Sequence, residues 1–286
     1  MNVMTASNRL IDSLIVSVRG QLTAELFQKI EALALKLAEY AVPAGALLGF
    51  IIGVVGAIKL DSFFIFASGI VWVALVAVCY YIGHGFTERC RHAIANSKSE
   101  LSATEFLKVF ALLTGVGAAL AIGTALYLAI QTSSLEPLKW AVPVAVILLL
   151  YTTLLLNPSL ISTEICETAT GGQDALAISL VLYKAGVRQA GIIFGAGTTV
   201  GAVLLAYSLY NLFGQYGAYQ LVGGLQSVTG VLVLLGTLLF PFFIYLFFVF
   251  AYLFVDLCRA ILTLNQRPPS TDGNSTSPQS TSLPHL

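Results

Sequence analysis

Two short stretches of this 286-residue chain gather side chains that could do chemistry. "CRH" sets the Cys90 thiol and the His92 imidazole two residues apart, and both are ligand types that zinc accepts. "NPSLISTEICETATGGQDAL", residues 157–176, adds a second thiol in Cys166 between Glu164 and Glu167, with Asp174 further on. Cys90, His92 and Cys166 are the candidate metal ligands, provided that separate loops converge. Glu164 and Glu167 stand three apart, and on a helix such a carboxylate pair could serve as acid and base. Glu164, Cys166, Glu167 and Asp174 together also suit a gate or a partner contact.

Each chemical role has a plainer competitor. A cysteine at a membrane boundary commonly behaves as a small apolar residue, and an acidic, threonine-rich run makes a solvated turn. Cys79, Cys90, Cys166 and Cys258 show neither CxxC spacing nor the density of a disulfide framework. The sequence contains no HExxH, GxSxG, GxxxxGK[ST] or strand-to-helix GxGxxG signature. The expectation is a protein that is not an enzyme, with thiol- or metal-dependent catalysis as the exception. No cofactor is indicated.

The elements that must carry these residues are set by composition. Hydrophobic residues make up 57% of the chain and charged residues 10%, against roughly 25% charged in soluble domains, and mean hydropathy is +0.88. This is the composition of an all-α integral membrane protein. A net charge of zero leaves no basic face for phosphates, which excludes nucleic acid as a partner. The partners to expect are membrane lipid and either a second copy or another membrane protein.

Six runs are long and apolar enough to cross a bilayer core of about 30 Å. They cover residues 40–58, 62–83, 109–130, 138–156, 190–212 and 228–255, the last interrupted by Pro241. "GGLQS", 223–227, reads as an aqueous loop before the sixth. Twelve Lys and Arg fall on one side of these spans, and only Lys59 and Lys139 on the other. The positive-inside rule then puts both termini in the cytoplasm of an inner membrane.

The spans divide the chain into 1–39, a cytoplasmic amphipathic segment; 40–259, the six-span membrane domain; and 260–286, a Ser/Thr/Pro-rich disordered tail. Leu26, Ile30, Leu33 and Leu37 recur at helical spacing, which predicts an interfacial amphipathic helix resting on its leucines. Gln173 to Gly186 is too short to span and too apolar for water, so a short interfacial or re-entrant helix lies between spans four and five. Gly45, Gly49, Gly53 and Gly56 give span one a small-residue packing face, for a neighbouring span or a second copy.

Two functional readings follow. The first is a non-enzymatic subunit or scaffold of a membrane assembly with cytoplasmic contacts, supported by the glycine face and the lack of charge within the spans. The second is a channel or facilitator of small neutral or lipid-like substrates, built from inverted three-span repeats. Its signal is "YAVPAG" against "WAVPVA", then "IFASG" against "IFGAG", in the order of the spans.

Overall fold

The computed structural model describes residues 13, 17–97, 99–101, 104–165, 171–213 and 217–265. Among the described residues seven helices carry the fold: α1 (Ala24–Leu60), α2 (Phe63–Asn96), α3 (Thr104–Thr132), α4 (Glu136–Leu156), α5 (Gly171–Arg188), α6 (Ala190–Leu212) and α7 (Gly217–Asn265). A short strand β1 (Ser99–Leu101) follows α2, and β2 (Thr163–Ile165) follows a 3-10 turn at Pro158–Ile161. Six segments among the described residues are long and apolar enough to cross a membrane, and the protein is an all-α multi-pass membrane protein.

Most helices outrun the apolar runs that mark them, α6 alone matching its run of 190–212. Thr23 caps the start of α1 by accepting the Leu26 N–H, and Asp61 closes its end in the left-handed region at φ 46°. Between them 37 residues form one helix through Pro43, about 55 Å long against a core of about 30 Å. The amphipathic segment expected over 26–37 is therefore continuous with span one. We call the end of the bundle bearing Ala24 basal and the Lys59 to Asp61 turn distal.

The leucine stripe of this segment is not the face that packs on the rest of the protein. Leu26, Leu33 and Leu37 are exposed, whereas Phe27, Glu31, Ala34 and Ala38, also spaced four, three and four, are buried. Helices surrounded by lipid gain little by hiding leucine and more by letting small residues bring backbones together. α1, α2, α6 and α7 follow that rule. Their shared core holds Ala41, Val42, Trp72, Val76, Phe194, Ala202, Leu205, Leu234 and Leu238.

Backbone approach is closest at Gly83, where an added Cβ would lie 2.0 Å from Leu238 O and 2.8 Å from Phe194 Cε2. Gly83→Ala should thus destabilise the protein by about 2 kcal/mol through overpacking against main chain. Gly85 on the same helix has nothing within 4 Å of such an atom, and Gly85→Ala should be neutral or better. Thermal midpoints of the two purified variants make the comparison. Equal midpoints would show that α2 and α7 do not meet so closely.

"GGLQS" is helix and not loop. Gly223 faces Leu212 and Ser208 of α6, and Ser227 Oγ lies 2.5 Å from Ser208 Oγ, while Asn211 Nδ2 donates to Gln226 Oε1 at 2.6 Å. The polar groups that suggested water are paired across two helices. α7 also runs on to Asn265, past the expected start of the tail at 260, and the rest of the tail lies outside the described residues.

α3 and α4 form a hairpin arm, joined by Thr114 Oγ1 to Thr152 Oγ1 at 2.8 Å and by buried Ala118, Ala125 and Ala145. The arm meets the body at its basal end, where Leu107, Ala111, Leu150 and Leu154 to Leu156 enter a core with Phe27, Ala34, Val181 and Ile192. The two three-span halves do not share a packing plan. α1 lies along α2 and α6, but their counterparts under the repeat, α4 with α6 and α4 with α2, have at most marginal contact.

Candidate functional site

Charge collects at the basal end, where three elements converge on Glu31. This carboxylate is 3% exposed on the buried face of α1. Its Oε1 accepts Arg188 Nη1 at 2.7 Å, Arg91 Nη2 at 3.0 Å and Arg91 Nε at 3.1 Å. Arg91 Nη1 also donates to Glu88 at 3.1 Å, and the Arg188 guanidinium lies over the Phe27 ring at 5.3 Å. Room for the carboxylate comes from Gly191, where a Cβ would stand 3.0 Å from Oε1. Two carboxylates and two guanidiniums cancel, so the cluster ties α1, α2 and α5 together without leaving a naked buried charge.

A second polar knot lies beside it. Asn157 ends α4, its Nδ2 donating to Thr153 O at 2.8 Å and to Leu22 O at 2.9 Å, and Pro158 opens the 3-10 turn. β2 then pairs in parallel with β1, Glu100 opposite Glu164. α5 covers this pair with a face of Ala177, Leu180, Val181 and Ala185, all fully buried. Lys184 on that face is also fully buried, and its ammonium donates to Ser97 O and Ser162 O. The cation thus binds together the segments that leave α2 and α4. The Gln189 side chain at the α5 to α6 junction is buried, with its amide nitrogen unpartnered among the described residues.

Above the cluster, α1, α2 and α6 enclose a cavity of about 210 Å³ bordered by Glu39, Tyr80, His84, Thr87 and Glu88, with Phe194 as its apolar wall. Tyr80 packs against both His84 and Phe194. An imidazole and two carboxylates border this small void without converging as a set of metal ligands. Glu88 is already engaged by Arg91.

The residues singled out by sequence are not brought together. Cys90 is buried between α2 and α7, its thiol 3.7 Å from Pro241 O, while His92 is exposed. Residues two apart on a helix point to different sides, so "CRH" does not form a ligand pair. Among the described residues no group of three His, Cys, Asp or Glu could hold a metal ion. Cys166 and Glu167 lie outside the described residues, Glu164 is exposed on β2, and Asp174 is in the first turn of α5. The α5 helix continues through Gly186 to Arg188 instead of ending there.

The span-one glycines meet their own chain. Gly45 faces Leu234 and Ala202, Gly49 the Trp72 indole, Gly53 the Gly69 backbone and Gly56 Ile65. Sequence reasoning passed over Glu31, Arg188 and Lys184. The signal was present in the Phe27, Glu31, Ala34, Ala38 spacing, which a search for leucine stripes overlooks. Compared with family models, with curated proteins and with solved structures, the chain finds no match in any of the three.

Proposed function

We propose that this protein is a non-enzymatic subunit or scaffold of an inner-membrane assembly, with both termini and the basal end in the cytoplasm. The orientation rests on the twelve-to-two distribution of Lys and Arg. The assembly role rests on one observation, the bare arm. Leu126, Tyr127 and Leu128 on α3 are all exposed, as are Val142, Val144, Val146 and Ile147 on α4. Successive residues on a helix point about 100° apart, so these helices are open around much of their circumference.

A hairpin fixed at its base by the shared apolar core, and free along its length, is suited to receive helices of another chain. The test places a photo-crosslinking residue at Leu120 or Val144 in cells. Discrete protein adducts from both positions are expected, and their absence from both would overturn the reading.

The facilitator reading keeps one supporting observation after the halves prove dissimilar: two cavities lie at different depths along α1 and α2. Val42, Val76, Ala202 and Leu238 close the layer between them. A facilitator would have to part that layer. Solute flux into vesicles holding the pure protein, at a rate above empty vesicles, would favour it over assembly.

A further inference from the structure

We propose that the distal end of the bundle holds a site for one acyl chain of a membrane phospholipid, drawn from the adjoining leaflet. The site is a cavity of about 670 Å³ between α1 and α2 on one side and α6 and α7 on the other. Its size falls within the roughly 300–1,000 Å³ of built small-molecule sites.

The chemistry of its wall selects the occupant. Ile52, Ile65, Trp72, Leu205, Val228 and Val231 make the lining apolar. The two hydroxyls in it have spent their protons on their own helices, Ser68 Oγ on Ile65 O at 2.7 Å and Ser227 Oγ on Gly223 O at 2.8 Å. A water in such a space needs two to four polar partners, and a polar solute needs as many. A hydrocarbon chain needs none, and it gains the dispersion contacts that an empty cavity forgoes.

Depth and mouth point to the same ligand. The cavity runs along α1 from Leu60 to Gly49, eleven residues or about 16 Å, which is one leaflet of a core of about 30 Å. Leu60 and Leu212 form its mouth, where the Lys59 ammonium reaches across to Leu212 O. Asp61 is two residues further along the turn. An ammonium and a carboxylate borne by the same turn at the headgroup level complement the phosphate and the amine of a zwitterionic phospholipid. Glycine shapes the space: Gly53 and Gly69 let α1 and α2 meet backbone to backbone along one wall, and Gly224 leaves the α7 side open.

Trp72 reports on this cavity directly. It lines the deep end, is 9% exposed, and is held there by Nε1 donating to Gly45 O at 3.2 Å. The chain has one other tryptophan, Trp140, so Trp140→Phe leaves Trp72 as the sole emitter. The full-length variant is reconstituted in phosphatidylcholine vesicles whose acyl chains carry bromine, which quenches indole emission on contact.

The expected result is quenching that is strongest with bromine in the inner half of the chain. Most of it should be lost when Gly224→Leu or Ser68→Leu is added. These variants fill the cavity from α7 and from α2 respectively, and a Cβ at Gly224 meets nothing within 4 Å. A helical circular-dichroism spectrum shows that each has folded, and either alone suffices. Three outcomes would overturn the site: no quenching of Trp72, quenching undiminished in the filled variants, or quenching by aqueous acrylamide in place of brominated lipid.

Discussion

Replacing Glu31 with alanine lowers the stability of the folded protein by about 3 kcal/mol, because one half of a buried ion pair is then left uncompensated. The value follows from the geometry of the cluster. Arg188 and Arg91 both direct guanidinium hydrogens at the same Glu31 oxygen, so removal of the carboxylate strands Arg188 beside Arg91, which retains only Glu88. Arg188 has a side chain 14% exposed and Arg91 one 36% exposed, and water can screen the second more than the first. Arg91→Ala should cost about 1 kcal/mol, within the range of partly solvated pairs.

Glu31→Met combined with Arg188→Leu should recover much of the Glu31→Ala loss, since apolar replacement of a whole buried pair is often neutral. Unfolding titrations of the detergent-purified variants measure all of these. A Glu31→Ala protein within about 0.5 kcal/mol of the parent, the scale of ordinary surface changes, would show that the cluster does not hold the basal end together.

The second large effect belongs to Lys184. Lys184→Met keeps the apolar stem on α5 but removes the ammonium from Ser97 O and Ser162 O. Buried acceptors left without a donor cost about 1–3 kcal/mol each, so a loss of about 3 kcal/mol is expected. Its location is more telling than its size. Amide exchange should accelerate in residues 97–101 and 157–165, which the ammonium ties together, and remain unchanged where α6 packs on α7. Unchanged exchange over Ser99–Leu101 and Thr163–Ile165 would mean that the β1–β2 pair stands without the lysine.

Much of the architecture was legible in the sequence because it answers to the solvent. Apolar runs of about 20 residues between charged ends admit few structures other than spanning helices, and all six runs are helical. What misled was polarity taken without pairing. "GGLQS" resembles an aqueous loop, yet Ser227 and Gln226 find Ser208 and Asn211 on α6. The Leu26, Leu33 and Leu37 stripe marks the outer face of its helix, and the face that packs inward carries Phe27, Glu31, Ala34 and Ala38. Residue type fixes what a side chain can do, and only its neighbours decide whether it does so.

The segment 157–176 shows the same division. Its acidic, glycine-containing composition marked it as different from the spans. Residues 157–165 proved to be a connector built on Asn157, a 3-10 turn and a strand held by Lys184, and 171–176 open α5. Nothing local in the sequence links residue 184 to residue 97, and nothing links Glu31 to Arg188, 157 positions away. By itself the sequence determined that the chain enters a membrane, where its spans lie and which side carries the positive charge, since these depend on transfer from water to lipid, residue by residue. The tertiary structure alone decided which helices touch, that Cys90 and His92 part, that Glu31 meets two arginines and that a cavity opens near the Lys59 turn. Those outcomes depend on close approach between distant segments, and periodicity along one helix carries no record of the surface opposite it.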